Sequence, residues 1–191
     1  MNTTTDIDIK SIIEEAITSK SNDLKGLEDL LLFSNSFDRI DNYVRYVHKR
    51  GYGREMDPKA YWKYLGQAYT GSDNNRDDIP IIKTMFTRPY PHRECIMDDQ
   101  EQAIYKSLPP QVTIYRGMTE VEARKGAKDP NQYGISWTLS KEVAEFFAYQ
   151  YGRNFSTSHM KKTTVKRTVP KTDILAYFGE REEDEIIYIQ S

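Results

Sequence analysis

Two carboxylates stand two residues apart immediately before the last apolar run of the chain: Glu183-Asp184-Glu185, then Ile186-Ile187-Tyr188-Ile189. If this stretch is extended, its period of two places Glu183 and Glu185 side by side on one face. Like charges so placed repel each other, which a purely structural strand avoids. Carboxylates facing a cleft suit glycosidic chemistry, where nearby negative charge stabilises an oxocarbenium-like transition state. Two further segments carry groups of use to that chemistry. Tyr115-Arg116-Gly117 ends a strand pattern; a guanidinium there can fork onto a phosphate or carboxylate, and the glycine lets a ligand approach the backbone. Ser136-Trp137-Thr138 puts two hydroxyls on one face of a strand and an indole on the other. Singly, each segment also has a plain structural reading: a solvated acidic turn leading into a strand, a surface arginine before a turn, and an ordinary half-buried strand.

Other chemistries fall away. The chain has no G-x-x-x-x-G-K-[ST] and no G-x-G-x-x-G, the two common phosphate-cradling loops. Cys95 lies near His92, but a lone cysteine with one nearby histidine is more often structural than nucleophilic. His48 and His159 have no partner at metal-ligand spacing, so no metal is expected. A single Cys in 191 residues excludes an internal disulfide framework and suits a reducing compartment. The 27 basic and 29 acidic side chains leave a net charge of −2, which argues against a generally basic nucleic-acid coat. No apolar run approaches the roughly 20 residues of a membrane span. The Met1–Asp6 start lacks the basic-then-apolar pattern of a secretory signal, so the expected location is the cytoplasm of a producing or infected cell. The 14 tyrosines are expected at half-wet positions, where a ring packs and a hydroxyl bonds.

The elements that must position these groups change in texture along the chain. The N-terminal part reads as helical. Ile9, Ile12, Ile13, Ala16 and Ile17 make one stripe, Leu24, Leu27, Leu30 and Leu31 a second, and Phe37, Ile40, Tyr43, Val44 and Val47 a third that stops at Gly51 and Gly53. Asp57-Pro58 is a cap and a first-turn proline for a helix with Tyr61, Leu65 and Ala68 inward. The polar run 71–78 reads as a loop, Pro89 and Pro91 mark an irregular passage, and a short helix is expected over 99–106. From Pro109-Pro110 the pattern turns to strands, near Val112 and Ile114, at 135–138, 163–169, 174–178 and 186–189. Between them Ser140 caps a helix expected to line up Val143, Phe146, Phe147, Gln150 and Tyr151 on one side. The expected class is therefore α+β: a helical region, 1–108, packing on or extending a β-rich core, 109–191, as one compact unit. Charge within the core is uneven. Residues 121–170 hold nine Lys/Arg against four Asp/Glu, and residues 171–191 hold two against six.

The order of the three segments, arginine, then Ser-x-Thr, then Glu-x-Glu, each on its own strand, resembles the Arg-Ser-Glu class of mono-ADP-ribosyltransferases found among bacterial toxins and phage effectors. The resemblance spans about residues 110–191. It implies an ADP-ribosyltransferase-like mixed β-sandwich core and NAD as co-substrate, with no metal. It implies that Arg116 holds the NAD phosphates and braces the fold, and that the Gly117 backbone contacts the nicotinamide amide. Ser136 is then the serine that contacts the nicotinamide-side ribose and orients Glu185, the catalytic glutamate, with Thr138 a further cofactor contact. Glu183 is matched to the glutamate that activates the acceptor, often an arginine side chain. Tyr151 and Phe155 fall in the stretch 149–162, which corresponds to a loop closing over nicotinamide and phosphates, with Arg153 a phosphate contact there. Trp137 and Thr138 stand where the class has Thr and Ser, and the 20-residue step from Arg116 to Ser136 implies trimmed peripheral elements. The acidic run also holds Glu180 and Glu182; Glu185 is preferred because the apolar strand begins directly after it.

The resemblance implies transfer of ADP-ribose from NAD to a macromolecular acceptor, in the first instance a protein, with release of nicotinamide. Water as acceptor would make the same site an NAD glycohydrolase. A reading from a different class is a noncatalytic module that binds nucleic acid or protein through the basic run from Lys161 to Arg167.

Overall fold

The apolar stripes of the N-terminal part fold as helices. In the computed structural model, which describes residues 24–49, 51–73, 79–150, 159–179 and 182–190, helix α1 (Leu24–Phe33) buries Leu27, Leu30 and Leu31. The Ile9–Ile17 stripe lies outside the described residues. Helix α2 (Arg39–Tyr43) widens into a π turn over Val44–Lys49, and Ile40, Tyr43, Val44 and Val47 are buried as the spacing predicts. Phe37, expected in the same stripe, is 74% exposed. The reason is local: Asn35 Oδ1 accepts from the Phe37 and Asp38 amides, so the chain turns there and α2 starts later. Asp57 caps α3 (Pro58–Thr70) by accepting from the Lys59 and Ala60 amides, which leaves Tyr61, Trp62, Leu65 and Ala68 buried. Helix α4 (Ile79–Phe86) was not marked by the sequence pattern; it buries Ile82, Met85 and Phe86.

Tyrosine behaves differently from expectation in this part. Tyr43, Tyr46 and Tyr61 are core residues, at most 1% exposed. Burial is tolerated where the hydroxyl meets a carbonyl: Tyr43 donates to Tyr61 O at 3.2 Å and Tyr61 donates to Met85 O at 3.1 Å.

The chain forms two compact units, Met1–Ile96 and Met97–Ser191. The boundary falls ahead of the Pro109-Pro110 change in texture because helix α5 (Asp99–Ser107) is fastened to the sheet of the second unit. Its Glu101 Oε1 accepts from the Gly179 amide at 3.0 Å, and Tyr105 donates to Ile174 O at 3.1 Å. Asp98 and Glu101 form a reciprocal capping box at its start.

The second unit is built on one five-stranded sheet, order β3-β1-β2-β5-β4, with every neighbouring pair antiparallel. The strands are β1 (Gln111–Thr119), β2 (Ser136–Thr138), β3 (Lys162–Pro170), β4 (Ile174–Phe178) and β5 (Glu185–Tyr188). With seven helices among the described residues, the class is mixed α and β. Strand β1 runs straight into α6 (Glu120–Lys128), because the Thr119 hydroxyl accepts from the Glu122 amide at 3.1 Å and caps the helix. Ser140 caps α7 (Lys141–Glu145), which widens into a π turn over Phe146–Gln150. The buried side of α7 and its extension is Ala144 and Ala148, while Phe146 is 44% exposed, so the expected Val143–Phe146–Phe147 face is not the inward one. The cause is a close crossing. A Cβ at Gly117 of β1 would stand 2.1 Å from Ala144 O and 2.7 Å from Ala148 N, a gap that admits only methyl side chains between strand and helix. Among the described residues no helix is long and apolar enough to cross a membrane.

Candidate active site

Arg116, Ser136 and Glu185 lie on three strands that neighbour one another, β1, β2 and β5. The register pairs Tyr115 with Thr138, Thr138 with Glu185, and Ser136 with Ile187. Strand alternation then assigns Tyr115, Gly117, Ser136, Thr138 and Glu185 to one face of the sheet, the face crossed by α7 at Gly117. Ser136 and Glu185 are diagonal neighbours there, about 7–8 Å apart, within reach of a long side chain. Arg116 and Trp137 occupy the opposite face.

The structure gives Arg116 a bracing role. Its Nη1 donates to Ser136 O at 2.5 Å, and Nε and Nη2 donate to Glu122 Oε1 at 3.2 and 3.1 Å. One guanidinium thereby ties β1 to the start of β2 and to α6. Gly134 makes room for it, since a Cβ at that position would lie 2.3 Å from Nη2. Gly117 also serves packing: the space that a missing side chain leaves for a ligand is taken by the α7 backbone.

The acidic segment is not a continuous strand. Strand β5 begins at Glu185, and Asp184 (φ 46°) and Glu182 (φ 56°) have left-handed backbones. The period-two argument that set Glu183 beside Glu185 therefore fails, because the residue between them is not extended. The two glutamates instead flank the left-handed Asp184 in the turn that leads into β5. Three contacts hold it: Thr138 Oγ1 donates to Glu183 O at 2.7 Å, the Leu139 amide to Asp184 O at 3.1 Å, and the Tyr177 hydroxyl to Asp184 Oδ1 at 2.7 Å. Thr138, expected among the cofactor contacts, is 6% exposed. Its hydroxyl also accepts from the Ser140 amide at 3.0 Å, so it joins the acidic turn to the cap of α7. Burial, and then the bond to Asp184, push the Tyr177 hydroxyl well above the usual tyrosine range, so it remains a proton donor at any ordinary pH.

Tyr151, Phe155 and Arg153 lie outside the described residues. On the other face, Arg167 stacks over Tyr133 at 4.7 Å and Trp137 at 5.8 Å and pairs with Gln190, so one member of the basic run is tied to the aromatic core. Lys161 and Lys166 are exposed beside and on β3, an edge strand that such charges protect from further pairing.

Sequence reasoning missed Glu122, Gly134 and Tyr177. Thr119-x-x-Glu122 is a cap-like spacing that could have flagged the first. The sequence gives Gly134 no signal beyond its place just ahead of the 135–138 strand. Tyr177 has no local signal, because its partner lies across the turn from β4 to β5.

No family model, curated protein or solved structure matches the chain.

Proposed function

We propose that the chain is an NAD-dependent mono-ADP-ribosyltransferase that passes ADP-ribose to a macromolecular acceptor, a protein in the first instance, in the cytoplasm of the producing or infected cell. The observation that carries the reading is the placement of Ser136 and Glu185 on one face of adjacent strands, with Arg116 on the next strand bonded to the Ser136 carbonyl. The finer fold that goes with the reading is the ADP-ribosyltransferase core, of which the five-stranded sheet would be one layer.

The residues fit the substrate in part. A hydroxyl and a carboxylate on one face suit a ribose with its two hydroxyls, and no metal is needed. NAD supplies the nicotinamide leaving group and the ADP-ribosyl group. Glu185 accepts a hydrogen bond from the ribose 2′-hydroxyl and stabilises positive charge developing at the anomeric carbon. Ser136 holds that ribose and carboxylate in register. The carbon–nitrogen bond breaks with its electron pair going to nicotinamide, a bond from the acceptor forms at the same carbon, and Glu183 takes the acceptor's proton. Arg116, on the opposite face, acts by fixing the strand that carries Ser136.

One set of observations favours a second reading, a noncatalytic binding module on the same fold: Arg116 and Thr138 are engaged within the protein, and the room at Gly117 is filled by α7. The two readings separate at Glu185→Gln. A transferase with this substitution keeps NAD binding and loses transfer, measured by label from NAD in acceptor protein. Unchanged labelling removes Glu185 from the mechanism, and absence of NAD binding by the native chain favours the module.

A further inference from the structure

We infer that Tyr177 and Asp184 form a clamp that sets the turn carrying Glu183 and Glu185, with Tyr177 a positioning residue for both carboxylates. The functional arm of this inference rests on the transferase reading; its structural arm does not.

The turn between β4 and β5 must reverse the chain and still present carboxylates at the mouth of β5. Just ahead of β5, Glu182 and Asp184 are left-handed, a region that side chains other than glycine enter at a cost and that aspartate tolerates better than glutamate. Such a conformation persists only where its surroundings over-determine it. Here they do so from two strands. From β4, the buried Tyr177 hydroxyl donates to Asp184 Oδ1 at 2.7 Å, a bond strengthened by the charge on its acceptor. From the end of β2, the Leu139 amide and the Thr138 hydroxyl hold the Asp184 and Glu183 carbonyls. On the β4 side, the Gly179 amide is itself anchored to the buried Glu101 carboxylate at 3.0 Å. Of these contacts, only the one from Tyr177 grips the side chain of the left-handed residue. Releasing it frees Asp184 to relax toward an ordinary backbone, which would swing Glu183 and the start of β5 together and break the Leu139 bond.

Three variants separate the clamp from general stability. Tyr177→Phe removes the hydroxyl while keeping the ring. Asp184→Gly keeps the left-handed backbone accessible without a side chain. Asp184→Asn keeps an acceptor oxygen and a residue that tolerates the same backbone. In the full chain, native-state exchange of the Leu139 amide is expected to accelerate about tenfold in the first two, the fold-change of one charge-assisted hydrogen bond, while Ile114 in β1 is unchanged. Asp184→Asn, whose amide oxygen still accepts from Tyr177 but without the charge, is expected to give protection between the native chain and Asp184→Gly. Nicotinamide release from NAD should fall by a similar factor in kcat, with KM for NAD within twofold, in Tyr177→Phe and Asp184→Gly, and should recover in part in Asp184→Asn. Leu139 exchange unchanged in Tyr177→Phe, or Asp184→Gly matching the native chain, overturns the clamp. If the native chain releases no nicotinamide, the transferase reading fails, and the clamp stands or falls on Leu139 exchange alone.

Discussion

Alanine at Gly134 should unfasten Arg116 from outside the guanidinium itself. An ideal Cβ at position 134 would lie 2.3 Å from Nη2 and 2.7 Å from Cζ of Arg116, so the guanidinium has to leave. It would lose the bond to Ser136 O at 2.5 Å and the pair to Glu122 Oε1 at 3.2 and 3.1 Å. A hydrogen bond to a charged group contributes about 1.5–3 kcal/mol when buried. Both side chains here retain some exposure, 22% and 30%, so water recovers part of that and the combined loss is about 2–3 kcal/mol. Alanine also narrows the unfolded ensemble, which offsets about 0.4–1 kcal/mol, so the net destabilisation is about 1–2.5 kcal/mol. The assay is urea unfolding, with amide exchange in β1 and β2 reporting the second unit, carried out on Gly134→Ala, Arg116→Met and the double variant. The account requires strong coupling: once Arg116 is gone, alanine at 134 has nothing to displace, and only the slight stabilisation from the narrowed unfolded ensemble remains. Equal destabilisation by Gly134→Ala with and without Arg116, or none in either background, refutes the reasoning.

Two other predictions follow from particular contacts. Thr138→Val keeps the shape of the side chain but removes the bonds to Glu183 O and from the Ser140 amide, and should lower stability by about 1–3 kcal/mol while speeding exchange of the Ser140 amide. Tyr64 donates to Glu28, and burial followed by that bond raises its hydroxyl to about 12. Between about pH 10 and 12 the unfolded chain has lost this proton and the folded chain still holds it, so stability should fall as pH rises through that window, by at most about 2–3 kcal/mol. Tyr64→Phe should flatten the fall, read as urea midpoints at about pH 9 and about pH 11.5; an unchanged slope would show that Tyr64 does not carry it.

Much of the fold was legible because it depends on local periodicity. The Leu27–Leu30–Leu31 stripe, the Asp57-Pro58 cap, the alternation in β1 and β3 and the apolar β4 and β5 all behave as their spacing predicts. What escaped was set by contacts distant in sequence. Helix α6 has no apolar stripe to read; its buried residue is Gly126, pressed against the Tyr133 ring. The inward face of α7 was misread because the crossing at Gly117 selects Ala144 and Ala148 over larger neighbours. At the candidate site, period two placed Ser136 and Thr138 on one face, and the register adds Glu185 to it. The same rule failed one residue further out, at Glu183, because Asp184 leaves the extended region under the hold of a tyrosine from another strand. The partner of Arg116, Glu122, and the space at Gly134 needed the tertiary structure.

The most direct measurement of the central claim uses NAD labelled separately in its nicotinamide and adenylate halves, incubated with the full chain and a cell extract. The account predicts that the nicotinamide label is released as free nicotinamide while the adenylate label enters macromolecular material, and that Glu185→Gln abolishes both. Release of nicotinamide with the adenylate label recovered as free ADP-ribose would make water the acceptor. Both labels remaining in intact NAD would contradict the account.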